Sequence, residues 1–127
     1  MAENYESAAL RHFKDAAALQ SSGELDNAGH LFGFAAECAI KHKIASLRSP
    51  AETPHVHFPD LVNVARKQFR QRSQDLEMYQ ILQSAIFIGW HVNRRYEETG
   101  STGIRELAQW VAATKNIFRT AGIKVQK

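Results

Sequence analysis

Residues 24–47, ELDNAGHLFGFAAECAIKHKIASL, constrain the fold more than any other stretch of the chain. Read at helical periodicity, Leu25, Ala28, Phe32, Ala35 and Ala39 form one apolar stripe, and Ala36, Ile40, Ile44 and Leu47 form the stripe beside it. A single neighbour cannot cover a surface that wide, so the stretch predicts the central helix of a bundle. Two features interrupt it. Glu37 and Lys41 stand four residues apart on one face, and so do Gly29 and Gly33. Glycine inside a helix costs about 1 kcal/mol relative to alanine. The compensation expected here is the close approach of a neighbouring helix, with the first helix as the nearest candidate.

The other segments supply the neighbours. Residues 5–22 place Ala9, Phe13, Ala16 or Ala17, and Leu19 at amphipathic spacing, and Ser21-Ser22-Gly23 marks a left-handed stop. The turn that follows is short, which sets this helix antiparallel to the central one. Three prolines in RSPAETPHVHFPD then exclude a helix. A third helix is expected over 60–70, with Leu61, Val64, Ala65 and Phe69 inside and a basic outer face of Arg66, Lys67, Arg70 and Arg72. Ser73 is placed to cap a fourth, with Asp75 and Glu77 in its first turn. Met78, Ile81, Leu82, Ala85, Ile86 and Gly89 make its broad apolar side, extended by Phe87 and Ile88. Thr102 opens the last helix, with Ile104, Leu107, Val111, Thr114, Ile117 or Phe118, and Ala121 inward. Gly122 closes it, and IKVQK reads as a frayed tail. No segment alternates as a strand. The expected fold is a single all-α domain over 1–127, an antiparallel up-and-down bundle of four to five helices.

Composition limits the function classes. With 127 residues, 44% of them apolar, the chain is long enough to bury a full core without disulfides or metals. No apolar run reaches bilayer length, and MAENYESAAL lacks the basic and apolar regions of a secretory signal. Cys38 is the single cysteine, which suits a reducing cytoplasm. A net charge of +3 is compatible with an anionic partner and too mild to require one. No membrane association and no cofactor are implied.

Four groups of residues are candidates for chemistry. His91, Arg94, Arg95 and Tyr96 follow Trp90. If the fourth helix runs on to Tyr96, His91 and Arg95 share one stripe and Trp90 and Arg94 the next. A histidine there could serve as general base while the arginines hold a phosphate. A basic cluster answering a helix C-terminus would look the same. Glu37 and Lys41 make either a buried polar pair bordering a cleft or an ordinary ion pair. Arg66, Lys67, Arg70 and Arg72 could attract phosphates, with Phe69 and Tyr79 near enough for base stacking, or form a solvated face. His55 and His57, with His91 or His42, lack the further ligand that would complete a metal set, so no metal is assigned. Cys38 is expected in the apolar centre and inert.

The segment HLFGFAAECAIKHKI resembles the GYAAECALK type of segment in bacterial HEPN-domain proteins. Asp15-Ala16-Ala17 in the first helix, His57 before the leucine-led helix at Leu61, and Trp90 before Arg95-Tyr96 extend the resemblance over nearly the whole chain. It implies an all-α bundle, commonly a homodimer, working in RNA or nucleotide transactions. Members include metal-independent ribonucleases of defence and toxin–antitoxin systems, and non-catalytic modules that partner small nucleotidyltransferases. Catalytic members carry an arginine, then four to six intervening residues, then a histidine. Here no histidine follows Arg94 or Arg95, and the pair Arg48 and His55 falls in the proline-rich segment. The resemblance therefore implies either a ribonuclease-type component centred on 91–96 or a nucleotide-binding or adaptor module beside a nucleotidyltransferase or an antitoxin.

Overall fold

A computed structural model describes residues 4–47, 56–69, 76–84 and 87–125. Five α-helices account for most of them: α1 (Tyr5–Ser21), α2 (Leu25–Leu47), α3 (Asp60–Phe69), α4 (Leu76–Gln83) and α5 (Ile104–Ala121). A short 3-10 helix, Val92–Tyr96, lies between α4 and α5. The described residues contain no strand, and the chain is an all-α bundle.

The central position of α2 follows from its two stripes. Ala28, Phe32, Ala35, Ala36, Ala39, Ile40 and Ile44 are all buried, and α1, α3, α5 and the 3-10 helix pack around them. The Asn4 side chain accepts a hydrogen bond from Ser7 N at 2.9 Å and caps α1. At its other end Gly23, with φ of +80°, turns the chain back while Glu24 N donates to Leu19 O. The ring of Phe13 meets Phe32 edge-on, and His12 lies against Phe34. Ascending positions on α1 thus meet descending ones on α2, as expected of an antiparallel hairpin.

Alternation is not carried around the bundle. Asp26 bonds to the turn just before α5, Gly29 faces Trp110, and the Thr114 hydroxyl lies 3.2 Å from Phe32 O. Positions rise together along both helices, so α5 runs parallel to α2. The irregular segment after α4 makes this order available, because it returns the chain to the N-terminal end of α2 before α5 begins.

The fourth helix is shorter than its apolar pattern suggests. It stops at Gln83, where Ser84 Oγ donates to Ile81 O. Phe87 then adopts φ of +53° and Gly89 +79°, conformations outside any right-handed helix. Phe87 is held by packing: its ring stacks on Phe58 with centroids 4.9 Å apart, and Trp90 meets both edge-on. The apolar residues read as one long helical face are therefore divided. Met78 and Leu82 are buried from α4, Phe87 and Trp90 from the loop, while Ile88 is exposed. Ser73, Asp75, Ala85 and Ile86 lie outside the described residues.

Two further corrections concern α5 and its tail. Ile104 is 77% exposed rather than inward, and Trp110 takes a core position. Ile123 is not frayed. Gly122 closes α5 with φ of +77°, Ile123 N donates to Phe118 O, and the Ile123 side chain is buried.

Candidate functional site

The two glycines of α2 are recesses for indoles. A methyl group at Gly33 would overlap the Trp90 ring, and one at Gly29 would lie 2.7 Å from Trp110 Cζ3. The close approach comes from these side chains and not from the first helix. Each indole N–H is also used: Trp90 Nε1 donates to Gly29 O at 3.0 Å and Trp110 Nε1 to Ile88 O at 3.2 Å. Trp90 is thereby fixed in the core and positions the segment that follows it.

That segment is a 3-10 helix, so His91, Arg94, Arg95 and Tyr96 do not form the α-helical stripes expected of them. His91 is the N-cap, its Nδ1 accepting from Asn93 N at 3.0 Å. Arg94 turns inward. Nη1 donates to Gly89 O, and Nη2 lies within 3.0–3.3 Å of Glu106 Oε1, Ser101 O and Thr102 Oγ1. Its guanidinium also sits 5.1 Å from the Trp110 ring centroid. Arg94 is thus a clasp between the 3-10 helix and the start of α5, with its donors directed at protein acceptors. Tyr96 is 75% exposed, and the Arg95 side chain lies outside the described residues. The helical reading of these four residues failed because Trp90 is drawn into the Gly33 recess, which ends any continuous helix before them.

Asp26 secures the same region from α2. Its carboxylate accepts from Gly100 N at 2.7 Å and Thr102 N at 2.9 Å. These bonds, the one from Gly100 first, hold its pKa below the ordinary carboxylate range.

Glu37 is buried at 2% exposure, but its oxygens do not meet Lys41. Oε1 lies 2.8 Å from His57 Nδ1 and Oε2 accepts from Phe58 N at 2.6 Å. The partner is therefore a histidine twenty residues away, across the proline-rich segment. Lys41 acts on Glu37 only through its charge, and its Nζ lies 6.0 Å from the Tyr5 ring centroid. The expected polar pair is in this sense a polar knot that ties the start of the α3 region to α2. Phe34 lies beside it, with the rings of His12, His30, His57 and Trp90 around its own. His12 is held below its ordinary pKa by burial, and Arg11 adds to the shift.

Burial pushes the Glu37 carboxyl above its ordinary value of 4.5, and the bonds from His57 and Phe58 offset this only in part. A carboxyl with a raised folded pKa binds its proton more tightly in the folded than in the unfolded chain. Its contribution to stability is present at low pH and is lost as pH rises through the folded pKa. Glu37→Gln removes that titration. Thermal melts from pH 4 to 8 should show the parent's melting temperature falling relative to the variant's as pH increases. A parent that instead gains on the variant as pH rises would mean the folded carboxyl is depressed.

The basic face is present in part. Arg66 and Lys67 of α3, with Asn63, line a groove of about 350 Å³ closed on the other side by Tyr79 of α4. Lys67 is exposed and Arg66 half-buried. Phe69 is fully buried and offers no ring for stacking, whereas Tyr79 is half-buried at the groove. Arg70 and Arg72, like Arg48 and His55, lie outside the described residues. Among the described residues no three His, Cys, Asp or Glu side chains converge as a metal set. Cys38 is half-buried rather than central. No described helix is long and apolar enough to cross a membrane. Compared with protein-family models, curated proteins and solved structures, the chain matches none.

Proposed function

We propose that the chain acts in RNA or nucleotide transactions as a HEPN-like binding or adaptor module, holding phosphate groups at the groove between α3 and α4. The observation that carries this reading is the grouping of Arg66, Lys67, Asn63 and Tyr79 around one open groove. A guanidinium and an ammonium supply phosphate contacts, the amide supplies a hydrogen-bonding edge, and the phenol supplies a face for a base. The bonding of Arg94 favours the binding reading over a ribonuclease centred on 91–96. An arginine already bonded to Gly89, Ser101, Thr102 and Glu106 must break those contacts to hold a scissile phosphate. Leu76 and Ile88, both exposed, support pairing of two copies through the α4 side of the molecule.

The test is fluorescence polarisation with a labelled single-stranded RNA, titrated at several salt concentrations, with light scattering for the mass of the free protein. The parent should bind. Arg66→Ala/Lys67→Ala should weaken binding about tenfold at low salt and reduce the log–log salt slope by about 1.4, the value for two lost contacts to a single strand. An unchanged slope moves the phosphate site elsewhere. A parent that binds neither RNA nor nucleotide removes the reading.

A further inference from the structure

Residues 123–125 leave the end of α5 and separate two clefts. One, of about 360 Å³, follows α1 and is lined by Leu10, Phe13, Lys14 and Ala17. The other, of about 310 Å³, follows the end of α5 and is lined by Lys115, Phe118, Arg119 and Ile123. Lys124 and Val125 line both. The floor is apolar and the rim is cationic. Among the described residues lining the two clefts there is no acidic side chain. Arg119 is neutralised by Glu77 at 2.7 Å, which leaves Lys14, Lys115 and Lys124 as the net positive charge of the rim.

On α1 the apolar residues Leu10, Phe13 and Ala17 fall at i, i+3 and i+7, with Lys14 at their edge, a stripe about 10 Å long at 1.5 Å per residue. That is the length of two helical turns, long enough for the i to i+7 anchors of a helix lying along it. We propose that the joined clefts dock an amphipathic helix of a partner protein. Its apolar stripe would cover Leu10, Ala17 and Val125, which are only partly buried or exposed, and its flanking Asp or Glu residues would meet Lys14, Lys115 and Lys124. A second copy of this chain fits poorly. A two-fold interface uses the same patch twice, so it would set these lysines against themselves in a chain of net charge +3. A bare nucleic acid strand would leave the apolar floor unused. The surface does not include Arg66, Lys67 or Tyr79, so the inference stands independently of the phosphate groove.

The probe is a synthetic sixteen-residue helix with leucines at i, i+3, i+4 and i+7 spacing and glutamates on either side. A second peptide replaces each glutamate by lysine. Titrated into the isotope-labelled full chain, the acidic peptide should shift the amide signals of Leu10, Ala17, Ile123 and Val125 and leave those of Asn63 and Lys67 in place. The lysine peptide should bind at least tenfold more weakly. Lys14→Glu/Lys124→Glu, with its fold checked by circular dichroism, should reverse the preference between the two peptides. Failure of the acidic peptide to bind, equal binding of both peptides, or shifts confined to other surfaces would overturn the proposal. So would competition for the same lysines by single-stranded RNA or by anionic vesicles when the peptide itself does not bind.

Discussion

Ala36→Asp should lower the urea midpoint by a large part of its value, or leave the chain unfolded at 25 °C. Ala36 is fully buried on α2, between stripes that face the surrounding helices. A carboxylate there has no partner, and an unpaired buried charge costs about 3–5 kcal/mol. Domains of this size have a total stability of about 5–15 kcal/mol, so a loss of about 3–5 kcal/mol removes from a fifth of it to all of it. The neighbouring position supplies the control. Glu37 is also buried, yet it is tolerated because His57 and Phe58 N satisfy its two oxygens. Adjacent residues on one helix thus differ in whether a carboxylate is compatible with the fold, and the difference lies in two hydrogen bonds from a distant segment. Circular dichroism and a urea melt check the expectation. A variant with the parent's midpoint would place Ala36 at the surface and remove α2 from the centre.

The same contrast explains which parts of the molecule could be read in the sequence. The core of α2 was legible because a double apolar stripe has one physical solution, burial on more than one side. The ends of α1 and α5 were legible because Gly23 and Gly122 supply the left-handed turn that stops a helix. The extent of α4 was not legible. Ala85, Ile86, Phe87 and Ile88 continue a helical pattern, and the local sequence contains no proline to break it. What overrides the pattern is tertiary: Trp90 occupies the recess above Gly33, and Phe87 stacks on Phe58. A signal for this was present in the paired glycines of α2 and the two tryptophans of the chain, but spacing alone did not say what filled the recess. The partner of Glu37 was hidden for a related reason. An i,i+4 lysine is the local candidate, whereas His57 reaches the acid only once the chain has crossed the proline-rich segment. Arg94 was read as a phosphate ligand because its type suits one. Its acceptors on Gly89, Ser101, Thr102 and Glu106 are assembled by a loop and by the start of α5, which sequence periodicity does not describe.

Gly33→Ala should destabilise the domain more than any other single-methyl addition, and the loss should be recoverable by shrinking Trp90. The added Cβ would overlap the indole at Nε1 and Cε2, so the ring must move. Overpacking costs about 1–3 kcal/mol. Displacing the ring also breaks the buried bond from Trp90 Nε1 to Gly29 O, which leaves a donor and an acceptor unpaired at about 1–3 kcal/mol. Alanine returns about 1 kcal/mol through its better helix propensity. The net loss is about 1–5 kcal/mol, large for one methyl group. Trp90 also leads directly into the 3-10 helix, so its displacement should loosen the Arg94 clasp and expose tryptophan to water. A lowered melting temperature together with a red shift in fluorescence reports both. Gly29→Ala makes the milder comparison, since its Cβ would press on the edge of Trp110 at 2.7 Å and touch Thr102 at 3.5 Å, rather than overlap a ring as at Gly33. Combining Gly33→Ala with Trp90→Phe frees the contested volume and removes the N–H that would otherwise be left unpaired. The double variant should therefore be more stable than the sum of the two single changes predicts, by at least about 1 kcal/mol in a double-mutant cycle. Additive losses would mean that Gly33 and Trp90 do not share the space, and that the end of α4 is set by something other than the recess in α2.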